Sequence, residues 1–66
     1  MKPGDVVRLR SGGDDMTVES IDAAGRVHCV WFAEIANFIL DEVVYPIYAT
    51  QPTVGTFVAD TLEQVS

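Results

Sequence analysis

A single cysteine, Cys29, in a chain of 66 residues is the tightest constraint on what this sequence can become. Domains too small for a large core usually staple themselves with disulfides or a metal. One thiol permits no intramolecular bridge, so packing alone must hold the fold together. A domain of this size buries only about 60% of the surface its unfolded chain exposes, which leaves a thin margin. Hydrophobic residues make up 48% of the chain, enough to argue for a folded domain rather than disorder. One domain spanning residues 1–66 is the expectation. A globular chain of this length has a radius of gyration of about 11 Å and a body roughly 28 Å across.

The first half reads as a three-stranded meander. Along Asp5-Val6-Val7-Arg8-Leu9-Arg10, alternation puts Val7 and Leu9 on one face and Arg8 and Arg10 on the other. A glycine turn follows at Gly12-Gly13, with Asp14 and Asp15 behind it. The next strand, 16–21, turns Met16 and Val18 inward and Thr17 and Glu19 outward. Asp22-Ala23-Ala24-Gly25 is a four-residue hairpin loop with Gly25 in the left-handed region. In the third strand, 26–32, Val27, Cys29 and Trp31 share one face; His28, Val30 and Phe32 share the other.

Beyond this the pattern changes. Ile35, Phe38, Ile39 and Val43 recur at helical spacing, which predicts a short helix over 34–43. Residues 43–48 can instead form a strand, placed at a sheet edge by Pro46. A strand over 53–58, a tight turn over 59–62 and a last short strand complete the chain. The fold class is therefore mainly β: a small SH3-like barrel or curled antiparallel sheet with one short helix in its middle segment.

Four ordered motifs carry a resemblance. Gly4-Asp5-Val6-Val7-Arg8-Leu9-Arg10-Ser11-Gly12-Gly13, Met16-Thr17-Val18-Glu19, Cys29-Val30-Trp31-Phe32 and the closing Thr56-Phe57 with Leu62-Glu63 resemble the YodC-like family of small bacterial and phage proteins. That resemblance implies an SH3-like β-barrel and implies no activity. The chain departs from the family's pattern over 33–55, where a longer segment stands in place of a short hairpin. Closure of the barrel depends on that segment.

No constellation for chemistry is visible. His28 and Cys29 are adjacent in a strand, so their side chains point to opposite faces and cannot chelate one ion. Ser11, Ser20 and Ser66 lack a partnered base in sequence, and no Gly-x-Ser-x-Gly elbow is present. Asp14-Asp15 and Asp41-Glu42 are paired carboxylates without a sign of the cleft that would split their pKa values. The expectation is a non-enzyme that takes no cofactor and no metal.

Charge is the remaining lead. The formal net charge is -6, and from position 27 onward there is no Lys or Arg. A surface of this sign repels phosphate backbones and acidic membranes and attracts basic proteins. Lys2, Arg8 and Arg10 form too thin a basic stripe for direct nucleic-acid binding. The expected partner is a basic nucleic-acid-binding protein or complex. The contact residues would be Glu34, Asp41, Glu42, Asp60, Glu63, Asp14 and Asp15, acting as a partial DNA mimic in an inhibitor or adaptor. Phage anti-defence proteins such as anti-CRISPR inhibitors share this size and charge. The alternative is an SH3-like accessory module that binds a peptide or homodimerises, its charge serving solubility. Between Ile35 and Tyr48 there is more apolar surface than one short element can bury on a small barrel, so part of it is available as an interface. With no charged-then-apolar leader and no membrane-length apolar stretch, the chain reads as soluble and cytoplasmic.

Overall fold

The computed structural model describes residues 1–65. Seven strands run in chain order: β1 (Val6–Leu9), β2 (Met16–Ile21), β3 (Arg26–Trp31), β4 (Glu34–Leu40), β5 (Val43–Tyr48), β6 (Thr53–Val58) and β7 (Leu62–Gln64). They form two separate antiparallel sheets. The larger has the order β6-β3-β2-β1-β7, and the smaller is the β4–β5 hairpin.

The larger sheet holds the core. Period-2 alternation turns Val7, Met16, Val18, Val27, Cys29 and Leu62 to its concave face, where each is at most 4% exposed. Leu9, Trp31 and Phe57 pack against this cluster from its margin. The meander is as the alternation predicts, with Gly25 at φ 82° in the β2–β3 turn. β2 carries a bulge between Val18 and Ser20, which adds twist and helps the sheet curl.

The sheet curls without closing. β6 and β7 are its two edges and do not pair with each other. A 3-10 turn, Ala59–Thr61, carries the chain from one edge to the other. It is fastened to the end of β1, where the Arg10 backbone N–H donates to the Thr61 carbonyl at 2.9 Å and Arg10 Nε donates to the Asp60 carbonyl at 3.0 Å. Of the two forms expected, a barrel or a curled antiparallel sheet, the chain adopts the open sheet, because no pairing joins β6 to β7.

The helix expected over 34–43 is a strand instead. Residues 34–40 form β4 and pair with β5 through Phe38–Tyr45, Ile39–Val44 and Leu40–Val43. A short apolar run does not distinguish helix from strand by periodicity alone. What decides here is the β-branched and aromatic content of both arms, together with a two-residue turn at Asp41 (φ 50°) and Glu42 (φ 65°). The strand alternative for 43–48 is the one the fold adopts.

The hairpin projects away from the sheet, and every residue of β4 and β5 is exposed. The molecule measures 48 × 22 × 16 Å with a Cα radius of gyration of 13.8 Å, against about 11 Å for a globular chain of this length. It is a small body with an arm.

Candidate functional site

Two features stand outside the core: the apolar arm and a polar line across the body. The arm has two faces. On one, three cross-strand pairs follow in sequence: Ala36–Ile47, Phe38–Tyr45 and Leu40–Val43. The Phe38 and Tyr45 rings stack, with centroids 5.2 Å apart and planes 16° apart. Phe38, Leu40, Val43, Tyr45 and Ile47 remain 41–57% exposed on this face. The other face mixes Ile39 and Val44 with Glu34, Asn37, Pro46 and Tyr48. A bulge between Glu34 and Ala36 twists the base of the arm.

The edges of the arm differ too. The Ala49 N–H donates to the Ala33 carbonyl at 2.9 Å. Alternation from that bond turns Ile47, Tyr45 and Val43 toward β4 and leaves the nitrogen of Pro46 on the outer edge of β5. Having no N–H there, Pro46 blunts that edge against strand addition.

The seven carboxylates expected to bind a partner do not form one surface. Asp41 and Glu42 sit at the tip of the arm and Glu34 at its base. Asp14 and Asp15 lie in the β1–β2 loop, and Asp60 lies in the 3-10 turn. Glu63, on β7, is engaged: Arg8 Nε donates to its Oε1 at 2.8 Å. That bond, then the Glu63 charge, raises the pKa of the Arg8 guanidinium. Arg8 and Arg10 therefore hold the β7 side of the body together rather than forming a free basic stripe.

The polar line consists of Asp22, His28 and Thr56. His28 Nε2 lies 3.1 Å from Asp22 Oδ2, and its Nδ1 lies 3.2 Å from Thr56 Oγ1. A carboxylate can only accept, so with a neutral imidazole Nε2–H donates to Asp22 and Nδ1 accepts the Thr56 hydroxyl proton. Asp22 Oδ1 also accepts the backbone N–H groups of Ala24 and Arg26. The Arg26 N–H first, then His28, hold the Asp22 carboxyl below the usual carboxylate range. This hydroxyl–imidazole–carboxylate sequence is the connectivity of a nucleophilic relay. A scan of serines misses it, because its hydroxyl is a threonine 28 positions away, delivered by the His28–Thr56 cross-strand register. It lies on the solvent side of the sheet, with the His28 and Asp22 side chains 39% and 37% exposed. No cavity adjoins it among the described residues. As placed, it clips the β2–β3 turn to β3 and β6.

Cys29 is buried in the core, and burial pushes its thiol pKa up. His28 and Cys29 point to opposite faces, as their adjacency in a strand requires. Among the described residues no three His, Cys, Asp or Glu side chains are grouped to hold a metal ion. Ser11 and Ser20 are exposed in the β1–β2 loop and on β2, and Ser66 lies outside the described residues. Among the described residues, no helix is long and apolar enough to cross a membrane.

Comparison with known proteins gives one finding. The family model described as "Uncharacterized small protein (DUF2158)" matches residues 2–44, a span from before β1 through β4 and the arm's tip. No curated protein and no solved structure matches the chain. The matched span contains three of the four motifs behind the YodC-like resemblance and is consistent with it; Thr56-Phe57 and Leu62-Glu63 lie beyond it. It also runs past Phe32 into the segment read as a departure from the family. With 43 of 66 positions matched, the chain belongs to the DUF2158 family of small proteins.

Proposed function

We propose that this chain is a non-catalytic protein-interaction module that docks through the apolar arm formed by β4 and β5. The single observation that carries this reading is an arm whose Phe38, Leu40, Val43, Tyr45 and Ile47 are all 41–57% exposed on one uninterrupted face. Contiguous apolar patches of this kind mark interaction surfaces. The body is an SH3-like scaffold that presents the arm. Its strand order and the 3-10 turn before its last strand support that assignment. A lone, buried thiol suits a reducing cytoplasm.

A second reading keeps the acidic surface as the determinant, with a basic nucleic-acid-binding protein as partner. Its support is the carboxylate pair at the arm's tip, Asp41 and Glu42, in a region without Lys or Arg. It is the weaker reading because the remaining acids are dispersed over the body and Glu63 is paired to Arg8.

Capture of binding proteins by the immobilised chain, at low and at high salt, separates the two. Under the first reading, Phe38→Lys reduces capture by about 30-fold or more, as loss of a central aromatic anchor does, and salt has little effect. Replacing Glu34, Asp41 and Glu42 by Gln, Asn and Gln leaves it intact. The reverse pattern, salt-labile capture lost with the carboxylates and kept in Phe38→Lys, overturns the first reading in favour of the second.

A further inference from the structure

We infer that the outer edge of β4 is a strand-addition site whose occupant is an extended segment of a partner protein, an uncharged β-forming run with a Lys or Arg at each end. The inference rests on reading the arm as a docking element and names a contact that its apolar face does not supply.

The argument starts from backbone groups. β4 pairs with β5 alone, so one of its two edges is free. Ala36, Phe38 and Leu40 stand opposite Ile47, Tyr45 and Val43, the residues of β5 that turn inward. Alternation therefore sends the N–H and C=O groups of Asn37 and Ile39 outward. A free edge of this kind is a template for one more strand. The arm's other edge is not, because Pro46 offers no N–H there. A two-stranded hairpin is marginal in water, and a third strand stabilises it.

Charge selects the occupant. Glu34 stands at one end of β4, Asp41 and Glu42 follow its other end, and no Lys or Arg occurs from position 27 onward. Among the described residues no hydrogen bond or ion pair engages these three side chains. An added strand runs from Glu34 to Asp41 in about six or seven residues, roughly 20 Å. Cations at its two ends meet the carboxylates. Between them its neighbours are Ala36, Asn37, Phe38, Ile39 and Leu40, none ionisable, beside which β-branched and aromatic side chains pair best.

The same charges disfavour other pairings. A second copy of β4 laid antiparallel brings each Glu34 against the other chain's Asp41 and Glu42, and laid parallel it joins like ends. Like charges set opposite each other on a sheet are destabilising. The outer edge of β6 carries no carboxylate and belongs to a sheet that already has five strands. Exposed ion pairs contribute little each, so charge chooses among strands while backbone bonds hold the one chosen.

Amide exchange and titration of the full chain test the inference, with a pool of end-capped seven-residue peptides as probe. Each has lysine at both ends and Val, Ile, Thr, Phe or Tyr between. Binding should protect the Asn37 and Ile39 amides. Ile39→Pro, which removes one outward N–H, should weaken binding at least about tenfold. Pro46 shows that the hairpin accommodates proline at an outward position, and protected Phe38 and Leu40 amides report that the arm is intact. Ile39→Val, which keeps the N–H, should bind as the wild type does. A pool with glutamate at both ends should bind about tenfold more weakly. Replacing Glu34, Asp41 and Glu42 by Gln, Asn and Gln should remove that preference and cost the lysine pool only a few-fold. No protection at Asn37 and Ile39 overturns the inference, as does binding indifferent to Ile39→Pro or to the sign of the peptide ends. So does protection that falls on β6, or that grows with protein concentration without peptide, which would make the occupant a second copy. The docking reading is judged separately by Phe38→Lys in the capture experiment, since Ile39→Pro leaves the Phe38–Tyr45 face in place.

Discussion

Gly55 has a steric task that its neighbours impose. On β6 it lies opposite Cys29, and a Cβ there would stand 3.0 Å from both Phe57 Cε2 and Trp31 Cη2. Those two rings close over the position with centroids 6.0 Å apart. They form the rim that shields the buried cluster, so a methyl group at Gly55 must push one of them outward. Gly55→Ala is expected to cost about 1–2 kcal/mol, the scale of overpacking when a ring can still shift. Denaturant unfolding reads it as a lower midpoint at unchanged slope; an unchanged midpoint would mean the rings move aside freely. Alternation was enough to place Trp31 with Val27 and Cys29. Nothing local told Gly55 apart from any other glycine, because its role needs the register between β3 and β6. The same holds for Thr56, whose partnership with His28 exists only across that register.

At the scale of the element, the arm shows where local reading fails. The segment carries abundant β-branched and aromatic residues but lacks the Asn-Gly or Asp-Gly pair that announces a two-residue hairpin turn. Instead Asp41 and Glu42 both hold positive φ, at 50° and 65°, a conformation costly for side chains with a Cβ. Without the turn signal, the spacing of Ile35, Phe38 and Ile39 reads as helical. The strain makes a prediction. Replacing Asp41-Glu42 with Asn-Gly should stabilise the arm by about 0.5–1 kcal/mol, partly by matching the turn's geometry. Slower amide exchange over 34–48 is the measurement, and unchanged or faster exchange would contradict the assigned turn. Pro46, by contrast, was legible: it marks an edge wherever a strand contains it, and β5 is an edge.

At the scale of the whole molecule, the core and the arm are nearly independent. All six buried hydrophobic residues lie on β1, β2, β3 and β7, while β4 and β5 contact chiefly each other. Excising residues 34–48 and joining the ends with a short glycine-containing turn should therefore leave a body that unfolds cooperatively, followed by Trp31 fluorescence. Loss of that transition would mean that the arm supports the core.

Sequence alone determined the meander, the inward faces of β1 to β3, the burial of Cys29 and the family, because period-2 alternation and contiguous motifs are local properties. Tertiary structure decided that 34–48 is a projecting hairpin rather than a helix lying on a barrel. It decided that the sheet stays open and that the carboxylates are scattered. Each of these depends on which strands find partners at long range, and β4 and β5 paired with one another along their inner edges while leaving their apolar faces uncovered.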